Sequence, residues 1–166
     1  MNKYIFLDFD GVLNTENNSK ALREQGYPLC DKYGPCFSST AVANLAVIIE
    51  HTKAEIVISS TWKMDGLDIM KKMWIERNLP GKVIDVTPSD IFEAAEIDFS
   101  NPDDFVGRGR EIQQWIHQNG STKDRYVILD DLDDMLQSQK SLFIEIDPRI
   151  GITKEDAQKA IEILTK

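Results

Sequence analysis

Cysteine and histidine are scarce in this 166-residue chain, with two of each. Cys30 and Cys36 flank Gly34 and Pro35, while His51 and His117 fall far away in helix-like segments. That spacing does not assemble the roughly four ligands of a zinc site, so ordinary reduced thiols are expected. Basic residues are also few: 19 Lys and Arg stand against 28 Asp and Glu. A net charge of −9 argues against strong non-specific nucleic-acid binding, which depends on clustered cations, but leaves room for a local basic pocket. No stretch approaches the roughly 20 apolar residues of a membrane span. The run Tyr4–Leu7 is too short for a secretory signal and is interrupted by Asp8. The expectations are no membrane partner and a cytoplasmic location. The length is that of one domain, 1–166, with loop insertions at about 15–38 and 87–107.

What is present is an alternation of apolar runs and helical patterns. Tyr4–Leu7, Glu55–Ile58, Lys82–Val86, Tyr126–Leu129 and Leu142–Ile146 are continuously apolar or nearly so, as in strands buried on both faces. Helical spacing fills Ser39–His51, Leu67–Arg77, Gly109–Gln118 and Lys154–Leu164, the last with Thr153 as N-cap and Asp156 three residues on. The pattern predicts a doubly wound three-layer α/β/α domain around a mostly parallel five-stranded sheet. Ligands of such sheets bind beyond the carboxyl ends of the strands. The runs end at Asp8, Ser59 and Asp130, so a functional site is implied at that edge. Thr15–Ser38 and Thr87–Gly107, the latter carrying Phe92, Phe99 and Phe105, break the alternation and read as small lids near it.

Four segments carry chemistry. In Asp8-Phe9-Asp10-Gly11-Val12-Leu13-Asn14, strand alternation sends Asp8 and Phe9 in opposite directions and puts Asp10 in a turn. One carboxylate can attack phosphorus and a second can protonate the leaving alkoxide. Two anions beside a phosphate call for a cation, and magnesium suits oxygen ligands. A calcium loop fits poorly, since Val12 stands where a ligand is needed. Ser59, Ser60 and Thr61 offer hydroxyls to a phosphoryl group. Trp62 either stacks on a substrate or packs, and Lys63 either pairs with an anion or is a solvated charge. Arg108 and Arg110 open a helix whose N-terminus favours anions. Asp130, Asp131, Asp133 and Asp134 repel one another unless a cation or donors sit among them, although a solvated helix start would account for the last two.

In chain order these segments resemble the haloacid dehalogenase (HAD) superfamily. Leu7–Asn14, Ser59–Trp62, Arg108–Ile112 and Val127–Asp131 are similar to the HAD domain of Swiss Army Knife RNA repair proteins, and Gly151-Ile152-Thr153 extends the similarity over nearly the whole chain. The resemblance implies a Rossmannoid hydrolase with minimal or no cap. It implies a nucleophilic Asp8, an acid/base Asp10 and phosphate contacts from Ser59, with Ser60 beside it. It also implies Mg2+ held by Asp8, Asp130 and the Asp10 carbonyl, with Asp131 in the same cluster. Arg108 rather than Arg110 is the implied phosphate ligand, although that motif often carries Lys. Asn14, Trp62, Lys63 and Arg110 are candidate substrate contacts. The expected activity is magnesium-dependent hydrolysis of a phosphate monoester, from a nucleic-acid end, a nucleotide or another small ester. The rival is a catalytically silent binding module with the same fold.

Overall fold

A computed structural model describes residues 1–89, 98 and 100–166. Five strands form one sheet: β1 (Lys3–Leu7), β4 (Glu55–Ile58), β5 (Val83–Val86), β6 (Arg125–Asp130) and β7 (Phe143–Glu145). Their order is β5-β4-β1-β6-β7, and every neighbouring pair is parallel. The central strand β1 is therefore the first in sequence, and the chain winds outward from it in both directions.

Alternation along the strands sorts side chains into two cores. Ile5, Leu7, Ile56, Ile58, Val127 and Leu129 face one layer. There they meet α2 (Ser39–Thr52), α3 (Leu67–Glu76) and α5 (Lys154–Thr165) through Leu45, Met73 and Ala160 among others. Tyr4, Phe6, Val57 and Ile128 face the opposite layer, where α4 (Arg108–Asn119) supplies Ile112 and Trp115. Trp115 meets Tyr4 and Phe6 edge-on, with centroids 5.0 and 5.4 Å apart. Covering the sheet on both sides explains why its strands read as unbroken apolar runs. Thr153 and Asp156 cap α5 reciprocally, as expected.

The stretch 15–38 is more ordered than a loop. It contains α1 (Glu16–Glu24) and a hairpin of β2 (Cys30–Asp31) and β3 (Gly34–Pro35). Helix α1 buries no residue, so it has no apolar stripe to betray it, and it is held by its ends. The Thr15 hydroxyl accepts from the Asn18 N–H at its start, and the Glu16 and Asn17 N–H groups donate to the Pro148 and Arg149 carbonyls. Both cysteines are free. Of the aromatic residues noted in 87–107, Phe92 and Phe99 lie outside the described residues, and Phe105 ends a short 3-10 turn at Pro102–Phe105. No helix among the described residues is long and apolar enough to cross a membrane.

Candidate active site

Strand register builds the site. Leu7 pairs with Ile58 on one side and Leu129 on the other, so Asp8 stands on the next rung between Ser59 and Asp130. The Asp8 N–H donates to the Leu129 carbonyl at 3.0 Å, and the Ser59 N–H donates to the Leu7 carbonyl at 2.9 Å. Parity then decides direction. Tyr4, Phe6, Val57 and Ile128 point towards α4, and Asp8, Ser59 and Asp130 continue their series. Phe9 turns into the other core, as strand alternation predicts. The two carboxylates and the hydroxyl therefore converge below the first turn of α4.

Arg108 occupies that turn. Its Nη1 lies 3.7 Å from Asp8 Oδ1 and its Nε lies 3.8 Å from Asp130 Oδ2. Burial pushes the Asp8 carboxyl up, while the Arg108 guanidinium and a hydrogen bond from the Ser60 hydroxyl draw it back. Burial and the adjacent Asp8 charge push Asp130 up to about 7. Burial also raises Asp131. Three crowded carboxylates face a single guanidinium, so the site is short of positive charge.

A hard cation fits that shortage. One oxygen from each of Asp8, Asp130 and Asp131 lies within 4.8 Å of the other two. Oxygens sharing one magnesium at about 2.1 Å stand about 3–4 Å apart, a spacing within reach of small side-chain rotations. Gly11 makes this approach feasible. Its φ is +73°, and a Cβ there would come within 2.5 Å of Asp131 Oδ2.

The Asp10 carboxylate lies outside that trio. It is exposed and is held by Trp62 and Asn14, whose Nδ2 donates to Oδ1 at 2.6 Å. Ser59 Oγ is buried without a hydrogen-bond partner, and so is Arg108 Nη1. Orphaned buried polar atoms beside a cluster of carboxylates are what a ligand site leaves open.

A family model described as the HAD domain in Swiss Army Knife RNA repair proteins matches residues 4–157. The chain belongs to this family. No curated protein matches it. Membership accords with the α/β fold and brings the expectation of hydrolase chemistry at the carboxyl edge that Asp8, Ser59 and Asp130 share.

Several residues of this HAD domain sit otherwise than the sequence suggested. Lys63 is not a solvated charge, and the anion it pairs with is Glu111 of this chain. It is buried, and its ammonium donates to Glu111 Oε2 at 2.5 Å, the Pro88 carbonyl at 2.9 Å and Thr87 Oγ1 at 3.1 Å. Burial pushes it down against the Glu111 charge that holds it up. Arg110 lines a separate groove with Gln113, Gln114 and His117. The N-terminus of α4 is not open to an anion from solution. The Asp134 carboxylate accepts from the Gly107 and Arg108 N–H groups, the latter at 2.9 Å, and the Asp134 carbonyl accepts from Gly109. Asp134 is thus an internal cap, and Asp133 pairs with Lys140. Gln139, fully buried, donates to the Gly109 carbonyl at 2.8 Å. A Cβ on Gly109 would meet Gln139 and the Leu136 N–H at 2.6 Å, so that glycine lets α4 close on the loop after β6. Asp134 and Gln139 gave no recognisable sequence signal for this clasp.

Two open grooves include residues next to the carboxylate cluster, Ser60 and Arg108 in one and Asp10 and Gly11 in the other. One, of about 290 Å³, includes Ser60, Thr61, Met64, Gly107 and Arg108. The other, of about 400 Å³, includes Asp10, Asn14, Glu16, Ser19 and Pro148.

Proposed function

We propose that this HAD domain is a magnesium-dependent phosphohydrolase that cleaves phosphate monoesters through an aspartyl-phosphate on Asp8. The observation that carries the reading is the shared rung of Asp8, Ser59 and Asp130 beneath Arg108. An Asp8 oxygen attacks phosphorus as the bond to the alcohol breaks, and Asp10 gives its proton to the departing oxygen. A water then attacks the phosphoryl group, passes its proton to Asp10 and frees Asp8. Ser59 Oγ and Arg108 Nη1, neither of which makes a hydrogen bond, are donors suited to the phosphoryl oxygens. The Ser60 hydroxyl serves Asp8 directly and fixes the attacking carboxylate. Asp8, Asp130, Asp131 and the Asp10 carbonyl would hold magnesium, which when bound would supply Lewis-acid stabilisation of the negative charge on the phosphoryl group.

The grooves on either side suit an ester that extends beyond its phosphate, and the family's association with RNA repair points to a nucleic-acid end. The net charge of −9 favours a nucleotide or another small ester, binding through the local Arg108 pocket. Hydrolysis of 4-nitrophenyl phosphate with and without magnesium tests the reading. Metal-dependent turnover is expected, whereas none with any member of a panel including 3′- and 5′-phosphorylated oligonucleotides would leave a silent binding module. Such a module has no use for a buried Asp8 held beside two further carboxylates.

A further inference from the structure

Asp10 sits at the surface, yet its carboxylate has little freedom. The indole Nε1 of Trp62 donates to both Oδ1 and Oδ2 at 3.2 Å, and Asn14 Nδ2 donates to Oδ1 at 2.6 Å. Oδ1 thus takes two donors and Oδ2 one, so both oxygens are held in place.

The indole is itself immobilised. Phe9, the neighbour of Asp8, meets it edge-on at 5.4 Å between centroids, and Phe37 lies 5.7 Å away. The Arg77 guanidinium stands 5.6 Å from the ring centroid. Gly34 presses against the ring so closely that a Cβ there would come within 2.9 Å of Cη2. Arg77 fastens that hairpin, donating to Asp31 Oδ2 at 2.9 Å, Asp31 Oδ1 at 2.6 Å and the Gly34 carbonyl at 3.1 Å. The β2–β3 hairpin, the motif containing Phe9 and the end of α3 therefore hold one ring whose only polar atom points at Asp10.

We propose that Trp62 and Asn14 are positioning residues that aim Asp10 at the leaving-group oxygen, so that the site can expel a basic alcohol. The proposal rests on the acid role given to Asp10 above. As the Asp8 oxygen–phosphorus bond forms and the ester bond breaks, the electron pair of that bond stays on the alcohol oxygen, and the Asp10 proton neutralises it. A carboxyl free to rotate spends little time in transfer geometry. An ester whose alcohol departs as a stable anion has little need of that proton, while an ester of a basic alcohol depends on it.

Substituted phenyl phosphates test this, because leaving-group basicity changes at nearly constant shape. Turnover of 4-nitrophenyl and 4-methoxyphenyl phosphate is measured for wild type, Trp62→Phe, Asn14→Ala and Asp10→Asn. The Trp62 and Asn14 variants should lose about two- to fivefold on the nitro ester and about tenfold more on the methoxy ester, a fraction of a full general-acid contribution. Should Trp62→Phe fail to fold, the Asn14→Ala ratio decides. Equal losses on both esters, with Asp10→Asn still selective, would overturn the positioning role alone. A non-selective Asp10→Asn would overturn the acid role and the positioning role with it.

Discussion

Asp130 is the residue whose protonation carries the most information. Its carboxyl titrates at about 7 in the folded chain, against about 3.9 for an exposed aspartate. Between those values the folded form binds the proton that the unfolded form has released. Its contribution to stability is therefore complete below pH 4 and is lost as pH rises through 7. With metal chelated, Asp130→Asn should gain on wild type by on the order of 2 kcal/mol between pH 5 and pH 8, read from urea midpoints. A constant difference across that range would show that the cluster carries no such strain. Arg108 is the second test at this scale. Arg108→Ala should cost about 2–4 kcal/mol of transition-state stabilisation in kcat/KM, whereas Arg110→Ala should stay within about 0.5 kcal/mol. The two residues are about 200° apart on α4, and only Arg108 reaches the carboxylates. A larger loss for Arg110→Ala would reverse that assignment. Position alone singled out Asp8, Ser59 and Asp130, because strand ends can be read from apolar runs, whereas the choice of Arg108 over Arg110 and the place of Asp131 in the cluster came from the family resemblance. The burial of Lys63 was not legible, since its partners Thr87 and Glu111 lie 24 and 48 residues away.

Among the elements, α4 shows what local reading misses. Its start looked like an open anion site, but Asp134 fills it from a loop on the far side of β6. Asp134→Ala should cost about 0.5–2 kcal/mol of stability, as other lost caps do, and should also impair turnover by loosening Arg108. Asp133→Ala removes only an exposed pair with Lys140 and should cost less than about 1 kcal/mol with turnover intact. Equal effects on turnover would dissociate the cap from the site. Helix α1 is the converse case. Apolar periodicity had nothing to report, yet Thr15, Glu16 in the first turn and Arg23 in the last were capping signals open to reading. The large strands and helices were legible because their faces are buried and their patterns follow from burial.

Taken as a whole, the molecule places its charge shortage where the sheet converges, and a cation should therefore act on the entire fold. Magnesium should raise the melting temperature of wild type, by about 2.7 kcal/mol of added stability at a hundredfold excess over its dissociation constant. Asp130→Ala should abolish the response, and an equal shift in both proteins would place the ion elsewhere. The central claim concerns Asp8 and is tested most directly by turnover of Asp8→Asn on a phosphate monoester with magnesium present. The substitution removes the nucleophile and one charge from a crowded cluster, so the variant should melt no lower than wild type in the absence of metal. Its turnover should fall by about four powers of ten. Turnover within about tenfold of wild type would contradict covalent catalysis by Asp8.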